Sequence, residues 1–384
     1  MKKNALLICS DSDKSQAVSA SRIFEIRKRL CSVFEKVIIL SFDGKGDINL
    51  ADIGLSKNLF ERYPFTIFML PYIYYKLARF TRNNSIDIVY ISSPYFSAIL
   101  LLPLFKIVGI RVVSEYRDLP EMLYHNKKYQ FNNRFLRGAL YFYVKTLEVM
   151  VYFFSGFSNL VVGVGDESCA ILKKKTKAKN IVNVHNGYNQ NDYNNRFKLN
   201  NYLYEKNKII ISLVGTIWPM RDTSSLRDFM IVLNKVSQKN NIDVQINHYG
   251  SIKTDLTIFI NGLDGLKYES SRIDDRESLL NRLSLSSFNL LCCSDDLVWE
   301  PTTTVFDYLI AGRPIVKLGN GAKEVDNILK AENRSSYRFN LLNEVDFLNM
   351  LNYLNSLDSY DKNDLSGFYL RNNQCEKLDF EDLF

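Results

Sequence analysis

The feature that most constrains this chain is a rhythm: short unbroken apolar runs, each followed by a polar turn and a helix-like stretch. NALLICS (4–10), KVIILSF (36–42), DIVYIS (87–92), RVVSEY (111–116), NLVVGV (159–164) and NIVNVHNGY (180–188) set it in the first half. SASRIFEIRKRLCSVF and ESCAILKKKTKA carry the helical spacing between them. Runs of this length without polar alternation are buried on both faces, which means a parallel sheet covered by helices.

The rhythm stops in NQNDYNNRFKLNNYLYEKN (189–207) and then restarts. KIIISLVGT (208–216), DVQINHYG (243–250), LKYESS (266–271), FNLLCCS (288–294) and PIVKLG (314–319) read as a second set of strands, with DFMIVLNKVSQ and TTTVFDYLIAG as helices. A chain of 384 residues holds two cores of ordinary size. The expectation is therefore two doubly wound α/β domains, 1–195 and 196–384, joined by a polar linker.

Composition narrows the class. Hydrophobic residues make up 46% of the chain, enough to fold a core and too much for a disordered protein. The six cysteines form no Cys-x-x-Cys pair and share no ligand spacing with His125, His185 and His248, so free thiols, no bound metal and a cytoplasmic setting are expected. MKKNALLICSDSD turns polar too early for a signal peptide and reads as the first strand.

Charge is uneven. Residues 1–195 carry 27 Lys and Arg against 16 Asp and Glu (+11), and residues 196–384 carry 22 against 26 (−4), summing to +7. A basic half beside an acidic one suits an anionic partner. No zinc-finger, basic-zipper or RNP-type pattern accompanies it, which favours an anionic membrane surface over nucleic acid. FTIFMLPYIYYKLARF (65–80) is too short to span a bilayer, and GALYFYVKTLEVMVYFFSGF (138–157) contains Lys145 and Glu148. Core helices or shallow interfacial insertion both remain open for these two segments.

In open α/β sheets ligands bind beyond the carboxyl ends of the strands. The residues that follow the first-half strands include Arg22, Ser93, Arg117 and Asp118. In the second half they are Gly215, Thr216, Arg221, Gly250, Glu300, Thr303, Thr304 and Asp307. This second set suits a phosphate: a glycine allows close backbone approach, an arginine supplies a fork of donors, and a helix start near Thr303 offers unpaired N–H groups. Glu300 and Asp307 would then accept hydrogen bonds from sugar hydroxyls. For Asp307 the alternative is an acid that complements the dipole of its own helix. G-x-G-x-x-G is absent after the first strand, and G-x-x-x-x-G-K-[ST], H-E-x-x-H and G-x-S-x-G are absent throughout. That argues against a nicotinamide dehydrogenase, a P-loop NTPase, a zincin and an α/β-hydrolase.

Several of these segments, in order, resemble one family. DIVYISSPYFSAILLLPLFKIVGIRVVSEYRDLPE, SNLVVGVGDESCAILKKKTKAKNIVNVHNGYNQNDY, IISLVGTIWPMRD and TVFDYLIAGRPIV are similar to successive stretches of retaining family-4 glycosyltransferases of the bacterial capsule and O-antigen type. The resemblance implies the GT-B fold, two Rossmann-like domains facing each other across a cleft, with the acceptor on the first and the nucleotide sugar on the second. It implies transfer from a UDP- or GDP-linked donor, as co-substrate and without a metal or other cofactor, to an acceptor on the first domain; the basic first half and its aromatic helices motivate a lipid-linked glycan as that acceptor. On this pattern Asp307 holds the donor ribose, and Arg221 neutralises the diphosphate. Asp118 contacts the acceptor nucleophile, and Arg22, Ser93 and Arg117 line the acceptor side.

The chain also departs from the family pattern. Glu300 and Asp307 have six residues between them where the family has seven, and Thr216 stands where a basic residue is usual, with Arg227 a substitute. Gln16-Ala17-Val18-Ser19 replaces a glycine pair. The resulting expectation is a polysaccharide-building transferase, cytoplasmic or on the inner face of the plasma membrane. A nucleotide-sugar 2-epimerase and a non-catalytic partner of an assembly complex are the alternatives.

Overall fold

The computed structural model describes residues 3–383 except 13, 15–19, 62, 94–95, 123–132, 200–206, 218–222, 253–255, 274, 294–302, 335, 339–344, 346, 350–364 and 382. Arg221, Glu300 and the 16–19 segment therefore lie outside the described residues.

The first sheet contains β1 (Asn4–Cys9), β2 (Lys36–Ser41), β3 (Ile48–Asn49), β4 (Ile86–Ser93), β5 (Arg111–Tyr116), β6 (Leu160–Gly163) and β7 (Ile181–Asn183). Its order is β3-β2-β1-β4-β5-β6-β7, and every pairing is parallel. The second contains β8 (Lys208–Val214), β9 (Asp243–Tyr249), β10 (Leu266–Ser271), β11 (Phe288–Cys292), β12 (Ile315–Leu318) and β13 (Ser336–Arg338). Its order, β10-β9-β8-β11-β12-β13, is again all parallel. The two-sheet α/β expectation is met. β3 and β13 are two and three residues long, too short to show a period in sequence.

Each sheet has its own core. Ile23, Ile26 and Leu30 form the buried stripe of the helix Ala20–Cys31 and pack on Ala5, Leu7, Ile88 and Tyr90. In the second unit Leu226, Phe229, Met230 and Leu233 of the helix Ser224–Asn240 cover one face of the sheet, and Phe306, Leu309 and Ile310 belong to the core on the other.

The chain divides into Met1–Asn186 with Arg371–Phe384, and Gly187–Leu370. This differs from the division at 195 in two ways. The polar stretch after Asn186 belongs to the second unit because its tyrosines anchor it. Tyr188 stacks on Tyr193 at 5.6 Å and donates to buried Glu332 at 3.0 Å, and Tyr193 donates to the Leu365 carbonyl at 3.1 Å. The C-terminal stretch returns to the first unit, where Cys375, Leu378 and Phe380 enter the core beside Phe34 and Tyr90. Arg29 Nε donates to the Leu378 carbonyl at 3.1 Å.

The two aromatic segments form the helices Tyr63–Asn83 and Arg134–Ser155. Each is two-faced rather than wholly core. Ile73 and Leu77, and Val144, Leu147 and Val151, are buried, while aromatics on the opposite faces are exposed. Among the described residues no helix is long and apolar enough to cross a membrane.

Candidate functional site

In the second sheet the chain runs β8 to β9 to β10 in one direction and returns to β11 on the other side of β8. In open sheets of this kind ligands bind beyond the carboxyl ends of the strands that flank such a reversal, here β8 and β11. Gly215 follows β8 with φ +104°, a conformation that L side chains rarely adopt. Among the described residues, the nearest atom to a Cβ placed there would be Thr304 Oγ1 at 3.9 Å, which sets Gly215 beside the start of the helix Thr304–Ala311. Gly250, after β9, answers a different need. A Cβ there would fall 2.1 Å from the Gly215 carbonyl oxygen, so only glycine lets the two loops touch.

His248 fixes that contact. Its imidazole is buried, with Nε2 2.7 Å from the Gly215 carbonyl and Nδ1 2.9 Å from the Tyr268 hydroxyl. A carbonyl only accepts, so Nε2 carries the proton and donates, and Nδ1 accepts from Tyr268. Burial lowers the His248 pKa and the Gly215 bond opposes that shift. The neutral ring thus clamps the turn. Gly215 N donates to the Tyr249 carbonyl at 3.1 Å, Ile217 N to that of Ser251 at 2.9 Å, and the hydroxyls of Thr216 and Ser251 lie 3.4 Å apart.

The helix Thr304–Ala311 closes the other side. Thr303 occupies its N-cap position without a side-chain cap bond, and Gly312 ends it at φ +69°. Tyr308 is buried and its hydroxyl joins both strands at the switch. It accepts from Val214 N at 3.0 Å and donates to the Leu290 carbonyl at 2.9 Å. Burial pushes this phenol far above its ordinary pKa, so it remains a donor. Asp307, in the first turn, accepts from Arg276 Nη2 at 2.7 Å, and Arg276 Nε donates to Asp192 at 2.9 Å. Burial works against the guanidinium charge, but Asp307 and Asp192 outweigh it and raise the Arg276 pKa. One Asp307 oxygen keeps lone pairs beyond this ion pair.

The first sheet's switch point lies between β1 and β4. Arg22, expected on the acceptor side, is enclosed there at 2% exposure. Its Nε donates to Glu115 Oε1 at 2.6 Å, and Nη2 and Nη1 donate to the Val184 and His185 carbonyls, each at 2.9 Å. Ser92 donates to the other Glu115 oxygen at 2.5 Å. Arg22 is thus a tie between helix, strand and loop, not a free donor. Ser93 ends β4, with its side chain outside the described residues. Arg117 and Asp118 follow β5 half-buried. Burial raises the Asp118 pKa and Arg117 lowers it in part. His185 lies at the same edge, its pKa lowered to about 4 by burial and then by Lys377.

Of the second-unit expectations, Gly215, Thr216, Gly250, Thr303, Thr304 and Asp307 share the carboxyl edge of one sheet. Sequence reasoning missed Tyr308, Arg276, Asp192 and His248. Tyr308 stands inside a hydrophobic stripe and gives no polar signal, and Arg276 and Asp192 are far apart in sequence.

No protein-family model and no curated protein matches the sequence. Solved structures do match over the whole chain. A sucrose-phosphate synthase from Thermosynechococcus elongatus aligns with TM-score 0.60 and 11% identity, covering 100% of this chain and 96% of the other. An E. coli structure with UDP-2-fluoro glucose bound aligns at 0.59 and 12%, covering 99% and 98%. A Listeria monocytogenes protein described as a UDP-N-acetylglucosamine 2-epimerase aligns at 0.56 and 13%, covering 98% and 95%. The chain has the GT-B fold. At these identities the GT-B likeness concerns the fold, and residue roles rest on the geometry above.

Proposed function

We propose that the protein is a glycosyltransferase that takes a sugar from a UDP- or GDP-linked donor and adds it, with retention, to a lipid-linked surface-polysaccharide acceptor. The observation that carries this reading is the β8–β11 switch point. The left-handed Gly215 turn, backed by the Gly250 loop, lies there beside a helix that starts at Thr304 and carries Asp307 in its first turn. A diphosphate against backbone and helix start is stabilised by the unpaired N–H groups and the positive end of the helix. Asp307, pre-oriented by Arg276, accepts hydrogen bonds from the donor ribose. Arg221 supplies the cation for the departing diphosphate, and Asp118 meets the acceptor hydroxyl. A carboxyl raised by burial suits a group that takes up a proton there. The bound UDP-2-fluoro glucose of the E. coli structure supports a nucleotide sugar as the donor class.

Thermal unfolding with UDP- and GDP-sugars tests the site. The expected result is a raised Tm with one nucleotide class, lost in Asp307→Ala and kept in Asp118→Asn. No shift with any nucleotide sugar overturns the reading. The resemblance to the Listeria protein favours one other reading, a 2-epimerase, and turnover of a UDP-sugar without acceptor would establish it. The His248 contacts speak against His248 in that role, since both ring nitrogens are engaged in holding the Gly215 loop.

A further inference from the structure

The first unit carries an exposed apolar face that the transfer site does not use. Along the helix Arg134–Ser155, Phe135 (81% exposed), Phe142 (75%), Val149 (67%) and Phe153 (56%) recur at spacings of seven, seven and four, so they form one stripe. Along Tyr63–Asn83, Phe68 (81% exposed), Tyr72 and Tyr75 do the same. Both helices pack on the segment Phe96–Ile107, so they flank it on one face of the sheet. Single exposed apolar side chains are ordinary, but aromatic stripes on two helices of one layer are not.

Charge selects the occupant. Tyr63–Asn83 contains Lys76, Arg79 and Arg82 and no acid. Arg134–Ser155 contains Arg134, Arg137 and Lys145 against a single acid, Glu148, which is buried and paired with Lys145 and Lys175. Phe96–Ile107 adds Lys106 and no acid. An aromatic stripe bordered by arginines and free of exposed acids is the composition of a helix lying in the headgroup layer of an anionic bilayer. A protein partner with an acidic surface would match the charge but would leave the aromatic stripe without its apolar counterpart.

The direction of the helices gives the face a purpose. Tyr63–Asn83 leads into β4 and Arg134–Ser155 into β6, so both run against the strands and begin toward the carboxyl edge of the sheet. The longer helix extends about 33 Å, and the six residues of β5 only about 20 Å. Residues 133–139 at its start are exposed on all sides.

We propose that this face, with Phe135 and Phe142 as anchors and Arg134 and Arg137 as headgroup contacts, seats the protein on an anionic membrane. The carboxyl edge bearing Asp118 is then held close to the lipid surface. The surface stands on the exposed helices alone; its service to a lipid-linked acceptor rests on the transferase reading.

Co-sedimentation with phosphatidylglycerol–phosphatidylcholine vesicles, against phosphatidylcholine alone, tests it. The expected result is binding to the anionic vesicles that weakens as salt is raised. Phe135→Ser with Phe142→Ser lowers the partition coefficient by at least about tenfold. Arg134→Glu with Arg137→Glu lowers it by at least about fivefold. All four positions are exposed, and an unchanged Tm confirms the fold. A wild-type protein that stays in the supernatant, or variants that pellet like the wild type, overturn the proposal. A dimer in sedimentation velocity that these variants dissolve, without vesicle binding, overturns it in favour of a second copy. The nucleotide-sugar Tm shift is read on the same samples. Vesicle binding without any shift supports the surface and refutes the transferase reading, and a shift without vesicle binding does the opposite.

Discussion

The two sheets share one topology and treat their switch points in opposite ways. In the first a full ion pair is buried at the carboxyl edge: Arg22 of the helix after β1 against Glu115 of β5, with Ser92 and two carbonyls taking the remaining bonds. In the second, between β8 and β11, the tie is a neutral phenol, Tyr308, and the turn beside it is made of glycine backbone held by a neutral imidazole. A buried ion pair fixes geometry but consumes every donor it contains. A phenol that satisfies one N–H and one C=O ties the strands without burying a charge. The contrast shows one topology fastened by a buried charge pair in one unit and by neutral groups in the other.

The sharpest way to break the contrast is to remove the cation. Arg22→Met leaves Glu115 buried at 0% exposure without its partner, and is expected to destabilise the first unit by about 3–5 kcal/mol. Arg22→Met with Glu115→Leu should recover most of that loss, since well-packed apolar residues often replace a buried pair at little change in stability. Urea denaturation followed by circular dichroism measures both. If the single variant changes stability by less than about 1 kcal/mol, the pair is not what closes this edge.

Acid titration probes the same edge with a smaller effect. Unfolded His185 takes up a proton near pH 6.5, but in the fold it does so only near 4. Between those values the unfolded state binds more protons, so stability falls as pH is lowered through the window and loses nothing further below it. The histidine contributes up to about 3 kcal/mol to that slope. Asp118, with its raised pKa, acts in the opposite sense. The measurement is therefore the difference between the wild type and His185→Asn from pH 7 to 4. The variant should lose the extra acid sensitivity, and parallel curves would show that His185 is not the group responsible.

Sequence showed the strands clearly because a covered parallel strand is written as an unbroken apolar run, as in NALLICS and KIIISLVG. The domain boundary was less legible. A stretch rich in Asn looks like a linker, yet Tyr188 and Tyr193 dock it on the second unit. Strand-end position drew attention to Gly215, Gly250 and Asp307, which lie along one carboxyl edge. The same rule also picked Arg22, which lies at a strand end but faces inward, because burial and partner identity are set by residues such as Glu115, 93 positions away. Tyr308 escaped notice for the complementary reason. Its ring obeys the hydrophobic stripe, and only the three-dimensional meeting of Val214 and Leu290 gives its hydroxyl a role.

That hydroxyl supplies the smallest and most specific test. Tyr308→Phe keeps the ring in the core and deletes one oxygen, leaving Val214 N–H and the Leu290 carbonyl without this shared partner. Unsatisfied buried groups of this kind destabilise by about 1–3 kcal/mol, less than the Arg22 variant because no charge is stranded. Hydrogen exchange separates this tie from general packing. The Val214 amide should exchange faster in Tyr308→Phe while amides in the middle of β8, such as Ile211, change only with global stability. Since Val214 precedes Gly215, a loosened strand end should also reduce the Tm shift given by a nucleotide sugar. An unchanged Val214 exchange rate would mean that the phenol is not holding the switch point, and the contrast would then rest on the buried Arg22–Glu115 pair.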